Sequence, residues 1–291
     1  MSEERLRRLV ETRVRNPRAI AAAAARRVRR DTLLGSTGRL MLVAADHPAR
    51  GALRAGGRAM AMADRADLLD RLIVALSRPG MDGVLATPDL VEDLVLLGAL
   101  DDKVVIGSMN RGGLAGASFE IDDRFTAYDA ESIAAMGLDG GKMLCRIDPQ
   151  DDATARTLEA CGAAVSGLAR RGLLAMVEPF ISHRVHGRVR NDLSSEAVMR
   201  SITVASGLGA TSAYTWLKLP VVHDMERVLA ASTLPTLLLG GEVSDDQDAT
   251  FERWAEALKL PNVVGMVVGR TLLYPPDDDV AAAVDTTVGL M

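Results

Sequence analysis

From about residue 38 onward, short apolar runs alternate with stretches of helical periodicity. The runs are Arg39–Asp46, Gly83–Thr87, Lys103–Gly107, Gly141–Arg146, Leu173–Glu178, Ala213–Lys218, Thr236–Leu239 and Val263–Val268. They are nearly continuous in Val, Leu, Ile and Met rather than alternating. That is the pattern of parallel strands covered on both faces. Between them, Asp64–Ser77, Asp151–Arg171, Ser195–Ser206 and Asp245–Leu258 carry helical spacing. Asp151 and Ser194 stand where N-caps belong, and Pro88 suits a first helical turn. Eight βα units in about 250 residues predict an α/β chain folded as a single (β/α)8 TIM barrel. An open doubly wound sheet is the alternative. The first strand–helix junction, however, lacks the GxGxxG loop of the dinucleotide-binding version.

Residues 1–37 precede this pattern and predict an N-terminal helical extension, with the barrel domain over 38–291. The extension reads as one or two amphipathic helices broken near Asn16-Pro17, with strong helix formers at Ala21–Ala25. Such helices cover one end of the domain or contact a neighbouring subunit, so a homo-oligomer is expected. The arginines at 5, 7, 8, 13, 15 and 18 have the look of a transit peptide, but Glu3, Glu4 and Glu11 argue against one.

Composition narrows the function. The net charge of −5 over 291 residues argues against a general nucleic-acid or membrane-surface role. No apolar run approaches the roughly 18 residues that cross a bilayer. The two cysteines, Cys145 and Cys161, have no metal spacing and read as buried reduced thiols of a cytoplasmic protein. Lysine is scarce, four residues against thirty arginines. Arginine stays protonated in proteins, whereas lysine can lose its proton and attack a carbonyl. Lys218, closing the sixth run, therefore invites a covalent role, although a salt-bridged lysine at a strand end satisfies the same pattern.

In a TIM barrel the active site lies at the carboxyl ends of the strands. Asp46 and His47 end the first run, and Asn110 and Arg111 follow the third. Lys142 lies early in the fourth run, which Arg146 and Asp148 close. Glu178 ends the fifth and Lys218 the sixth. Gly240-Gly241-Glu242 follow the seventh, and Gly269-Arg270 the eighth. Charges in an apolar interior must satisfy one another. Lys142 and Lys218 come from even-numbered runs, whose inward side chains share layers. Two ammonium groups at one site repel, which favours the neutral amine that imine chemistry needs. Glu178 between them is the candidate proton shuttle; a purely structural ion-pair network is the competing reading. The glycines at 240, 241 and 269 let backbone N–H groups approach a phosphate, and Arg270 adds a charged fork. Residues Ile181–Asn191 carry His183, Arg184, His186, Arg188 and Arg190. They read either as a solvated loop or as a contact for a second anionic group. No nucleophile elbow, Walker loop or zinc motif is present, so no cofactor and no metal are expected.

Several of these segments resemble the class I, Schiff-base aldolases of the tagatose-bisphosphate and deoxyribose-phosphate superfamily, which includes the archaeal-type fructose-bisphosphate aldolases. The resemblance runs from about residue 38 to 275. Gly141-Lys142-Met143-Leu144 through Asp148-Pro149 is similar to the family's strand-4 lysine segment, and Val177-Glu178-Pro179 to its strand-5 glutamate. Trp216-Leu217-Lys218-Leu219-Pro220 resembles the Schiff-base strand. Asp46-His47-Pro48-Ala49-Arg50-Gly51 resembles the strand-1 aspartate motif in its longer, archaeal-type form. Leu239-Gly240-Gly241 and Val267-Val268-Gly269-Arg270 resemble the phosphate loops. Tyrosines found in relatives near strands 4 and 5 are replaced here by Cys145-Arg146 and Pro179-Phe180. Aldolase-like barrel proteins encoded with actinobacterial inositol-degradation genes are similar too. The resemblance implies a metal-independent aldolase with Lys218, Glu178, Lys142 and Asp46 as catalytic residues. Gly240, Gly241, Gly269, Arg270 and His47 would bind a phosphorylated ketose or keto-sugar acid, such as 2-deoxy-5-keto-gluconate 6-phosphate. A phosphate-binding isomerase or dehydratase, and a non-catalytic sugar-phosphate sensor, are the alternatives.

Overall fold

The computed structural model describes residues 1–35, 37–241 and 247–291. Eight parallel strands close on themselves. They are β1 (Leu40–Ala44), β2 (Gly83–Ala86), β3 (Val104–Ser108), β4 (Gly140–Ile147), β5 (Leu174–Val185), β7 (Thr215–Pro220), β8 (Thr236–Leu239) and β9 (Val263–Val268). Each pairs with the next in that order, β9 returns to β1, and a β4–β5 pairing completes the ring. This is the closed (β/α)8 barrel that the apolar runs predict. All eight runs are strands, displaced at their ends by no more than two residues except in β5. The largest displacement is in β5, which continues seven residues past Glu178.

That overrun corrects the reading of 181–191 as a loop. Here β5 turns back into β6 (Arg188–Asn191) as an antiparallel hairpin. The two turn residues, His186 and Gly187, both have positive φ, at 49° and 75°. Two residues with φ above zero give a turn whose twist matches the flanking strands. The hairpin is tied down where Arg184 Nη2 lies 2.9 Å from Asp151 Oδ2.

Helices cover the outside of the barrel. Among them are α3 (Arg65–Ser77), α4 (Pro88–Leu96), α5 (Ala130–Ala135), α6 (Ala153–Ala169), α7 (Ser195–Ser206), the short α8 (Met225–Leu229) and α9, described over Gln247–Leu258. The expected start of α9 at Asp245 lies outside the described residues. Asp64 caps α3 and Ser194 caps α7 through their side chains. The N-cap position of α6 is Asp152 rather than Asp151, but the Asp151 side chain still accepts from Ala153 N at 3.0 Å. Apolar side chains fill two compartments. One lies between strands and helices; the other is the barrel interior, including Leu42, Leu85, Ile106, Met176, Leu237 and Val267. Gly265 is required where β9 meets β1, since a Cβ there would stand 2.0 Å from Leu40 O.

The extension forms α1 (Glu3–Arg15) and α2 (Arg18–Arg26), broken at Asn16-Pro17 as the sequence predicts. Leu9 and Ala24 are buried against the barrel's helical layer. The segment after α2 crosses the amino ends of the strands. Arg27 donates to Lys103 O at 2.8 Å and Gly137 O at 2.7 Å, and Arg30 pairs with Asp82 at 2.7 Å. Leu33 and Leu34 pack on the interior cluster from below.

Candidate active site

The interior changes character along its length. Two residues beyond each of Ala44, Ile106, Gly140, Met176 and Trp216 come Asp46, Ser108, Lys142, Glu178 and Lys218. Side chains along a strand alternate faces, so a step of two keeps each inside the barrel while moving it towards the carboxyl mouth. An apolar floor thus gives way to a polar layer within one side-chain step. All five residues are buried.

These side chains form one chain of contacts. Lys218 Nζ donates to Glu178 Oε1 at 2.7 Å. The other Glu178 oxygen pairs with Lys142 Nζ. Lys142 reaches on to Asp46 Oδ2 at 3.2 Å. The same Asp46 oxygen receives Ser108 Oγ at 3.1 Å and lies 3.2 Å from Arg111 Nη1. Asp46 therefore contacts Lys142 and not Lys218. Two carboxylates face three cations here, and the surplus positive charge suits an anionic or oxygen-rich ligand.

The electrostatics follow from that balance. Burial alone would push the Glu178 carboxyl up, but Lys142 and Lys218 hold it at about 2. Burial opposes ionisation of Asp46 too, yet Arg111 and then Lys142 hold its carboxyl well below the usual range. The Lys142 ammonium moves down, driven first by burial, with Asp46 and Glu178 resisting and Lys218 adding. The resting site is thus two ionised carboxylates bridged by a desolvated lysine whose proton is loosened.

The candidate phosphate residues lie on the neighbouring sector of the rim, after β8 and β9. A Cβ on Gly269 would come 2.8 Å from His47 Cε1, so its absence lets the ring lie against that loop. Burial lowers the His47 imidazole well below its ordinary value, against the pull of Asp46 and with help from Arg270, and the ring is neutral. Arg270 opens α10 (Arg270–Leu273), and its Nη1 donates to Arg54 O at 3.4 Å. Gly240 packs against Val268 and Gly241 follows with φ 71°. Glu242 lies outside the described residues.

Residues that the sequence placed at the strand ends, without a role in the chemistry, hold the site's other wall, with partners in 113–123 that it did not single out. The segment between β3 and α5 folds over the rim on two buried arginines. Arg50 donates to Gly113 O at 2.6 Å and pairs with Asp123; Arg146 donates to Glu120 O at 2.8 Å and pairs with the Glu120 carboxylate. Asn110 spans Leu144, donating to its carbonyl at 2.6 Å and accepting from its N–H at 2.8 Å. Charged residues in a loop normally signal solvent, so only the unusual density of arginine at strand ends hinted at this. Among the described residues no group of three or more His, Cys, Asp or Glu side chains is arranged to hold a metal ion, and no helix is long and apolar enough to cross a membrane.

Residues 38–288 match the model of a protein family described as Cgl0159-like. The chain belongs to the Cgl0159-like family. It is 55% identical to Cgl0159 from Corynebacterium glutamicum, whose crystal structure it matches with a TM-score of 0.97 over 100% of this chain and 97% of that one. An archaeal fructose 1,6-bisphosphate aldolase superposes with a TM-score of 0.65 at 17% identity, covering 93% of this chain and 98% of that one. A Schiff base-forming fructose-1,6-bisphosphate aldolase does so with a TM-score of 0.63 at 18% identity, covering 93% and 99%. At such identities these two matches establish the shared barrel. No curated protein sequence matches the chain.

Proposed function

We propose that this Cgl0159-like protein is a class I aldolase, cleaving or forming a C–C bond in a phosphorylated ketose or keto-sugar acid through a Schiff base on Lys218. The observation that carries the reading is the buried row Lys218–Glu178–Lys142–Asp46 at the carboxyl mouth of the barrel. It resembles the lysine and glutamate segments of Schiff-base aldolases, and the barrel superposes on members of that class.

In this mechanism Lys218 passes its proton to Glu178, 2.7 Å away, and its amine attacks the substrate ketone. The carbinolamine so formed loses water, with Glu178 and Lys142 delivering the proton that the leaving hydroxyl needs. The resulting iminium draws the electron pair of the breaking C–C bond onto nitrogen. Glu178 takes the proton of the hydroxyl on the carbon beyond that bond, that oxygen becomes the carbonyl of the departing aldehyde, and an enamine remains. Protonation of the enamine carbon and hydrolysis release the ketone and restore Lys218. Glu178 is ionised at rest, so it starts as a base. The loosened proton on Lys142 makes that residue the nearest reservoir of acid. A phosphate on the Gly240-Gly241 and Gly269-Arg270 loops, beside His47, anchors the substrate and places its ketone over Lys218. Among keto-sugar acids, the resemblance to inositol-cluster proteins favours 2-deoxy-5-keto-gluconate 6-phosphate.

The test is borohydride trapping with a panel of phosphorylated ketoses, read by intact mass and peptide mapping. The reading expects a reduced adduct on the peptide containing Lys218. An adduct on Lys142, or none with any ketose, would falsify it.

A further inference from the structure

The outer face of the rim wall carries a protrusion and a groove side by side. The groove lies between α5, α6 and the backbone after β3, a cavity of about 340 Å³. Met109, Phe125, Ala160 and Ala164 give it an apolar floor. A Cβ on Gly167 would stand 3.3 Å from that of Ala130, so a small residue there lets the two helices close one end. Asp122, Asp129, Arg124 and Arg156 bring both signs of charge to its rim. The protrusion is Phe119. The chain has four phenylalanines, and this one is 52% exposed, whereas the others are buried or half-buried. Asp122 N donates to Phe119 O at 3.0 Å, so a single turn separates the ring from the groove. Lone exposed apolar side chains are ordinary on a monomer. This one, however, stands on backbone fixed from behind. Arg146 donates to Glu120 O at 2.8 Å, Thr157 Oγ1 donates to Ile121 O at 2.9 Å, and the Ile121 side chain is buried. A ring presented on a fixed turn has little freedom left to lose on binding, which is what an interface anchor requires.

We propose that two copies of this chain meet on this face about a two-fold axis, Phe119 of each entering the α5–α6 groove of the other. A two-fold interface brings the same patch of both copies together, so it needs a protrusion and a recess close to one another on one surface. The turn from Phe119 to Asp122 supplies that arrangement. A dry cavity of about 150 Å³ accepts benzene, so the groove has room for a phenyl ring. The rim charges favour a second copy. Because both signs are present, two identical rims can be turned until opposite charges face, whereas a partner rich in one sign would meet repulsion. The inner face of the same segment is the wall held by Arg50 and Arg146, so pairing braces the candidate site from outside. This inference is independent of the Schiff-base reading, since it concerns mass rather than turnover.

Sedimentation velocity on the full chain, over a range of concentrations, is the experiment. The wild type should sediment as a dimer or a larger even-numbered assembly. Phe119→Ser should halve the mass where the wild type is assembled, with a dissociation constant raised at least about thirtyfold, the mark of an interface hot spot. Ala163→Gln fills the groove from an exposed position on α6 and should do the same. Val14→Ser, at a 76% exposed position on α1, should leave the mass unchanged. Thermal melting checks that each variant is folded, and if Phe119→Ser is not, Ala163→Gln carries the comparison. A wild type that is monomeric at every concentration, or forms an odd-numbered assembly, overturns the proposal and leaves the groove to a small apolar ligand or another protein. Wild-type mass in the folded groove and Phe119 variants overturns it as well. Halving in Val14→Ser alone would then assign the contact to the N-terminal extension.

Discussion

Both ends of this barrel are closed by buried charge, and the two ends use it differently. At the amino end the charged groups, besides pairing with one another, each hold backbone. Arg27 donates to carbonyls, Asp82 accepts from Met41 N at 2.8 Å, Asp139 accepts from Val105 N at 2.8 Å, and Lys103 donates to Met81 O at 2.7 Å. Each ties one loose strand end to its neighbour. At the carboxyl end Lys218, Glu178 and Lys142 are held by one another's side chains. Backbone partners cannot be exchanged without disturbing the sheet, whereas side-chain partners can turn to a ligand at little cost in fold. The scarcity of lysine does not draw this distinction, because Lys103, half-buried just before β3, is as scarce a residue as Lys218, buried within β7. The identity of the partner does.

The largest effect expected from this contrast is a reversal between two lysines. Lys218→Met should abolish the trapped adduct and all cleavage while the protein remains folded. Lys103→Met should leave the adduct and the turnover in place and lower the melting temperature. Adduct formation in Lys218→Met would show that the carboxyl-end lysines are as structural as Lys103.

Next in size is Glu178→Gln, which keeps the shape but cannot carry a proton. A loss of about 10²–10⁴-fold in kcat is expected, with much less change in ketose binding. Stability supplies a second reading of the same variant. The folded-state pKa of Glu178 is depressed from 4.5 to about 2. The stabilisation from its ionised form is therefore fully present above about pH 4.5 and is lost as pH falls towards 2. Chemical denaturation of wild type and variant should show their stability difference changing across that window and flat above it. A kcat within a few-fold of wild type would remove Glu178 from the chemistry.

At the opposite end, Asp139→Ala should act on stability alone. It strips the buried Arg27 of its carboxylate and Val105 N of its acceptor. Removing one partner of a buried pair costs about 3–5 kcal/mol. Urea denaturation measures that, and the proposed turnover by the remaining folded protein should match wild type. A change in kcat would mean that the two rims are coupled through the strands.

The same contrast explains what the sequence made legible. The strands showed because each must bury both faces, and only unbroken apolar runs do so. Lys142, Glu178 and Lys218 showed because a charge within such a run has no other explanation than a partner or a reaction. The β5–β6 hairpin did not show: it buries no face beyond Ser182, its pairing is mostly backbone to backbone, and Val185 and Val189 are the only large apolar residues in its otherwise basic stretch 183–190. The wall built on Arg50, Arg111 and Arg146 was half legible. The arginines stood at strand ends, but their partners Glu120 and Asp123 lie in a segment whose charges read as solvated. What fixes that wall is long-range pairing, which leaves no local period.

The smallest effect belongs to the proposed phosphate loops, where the site's electrostatics meet its rim. Arg270→Ala should weaken a phosphorylated ketose by roughly 1.5–3 kcal/mol, the range for a hydrogen bond to a charged group. A non-phosphorylated analogue never makes that contact and should bind as before. His47 makes the prediction sharper. Arg270 helps to hold its imidazole neutral, so removing that charge should raise the pH at which His47 titrates, a change visible by NMR without any ligand. Calorimetry on the two ligands then separates the outcomes. Selective loss for the phosphorylated ketose places the anion beside Gly269 and His47. Equal loss for both would make Arg270 a structural residue, like those of the amino end, and would move the phosphate elsewhere, with the basic hairpin around Arg184–Arg190 the next place to look.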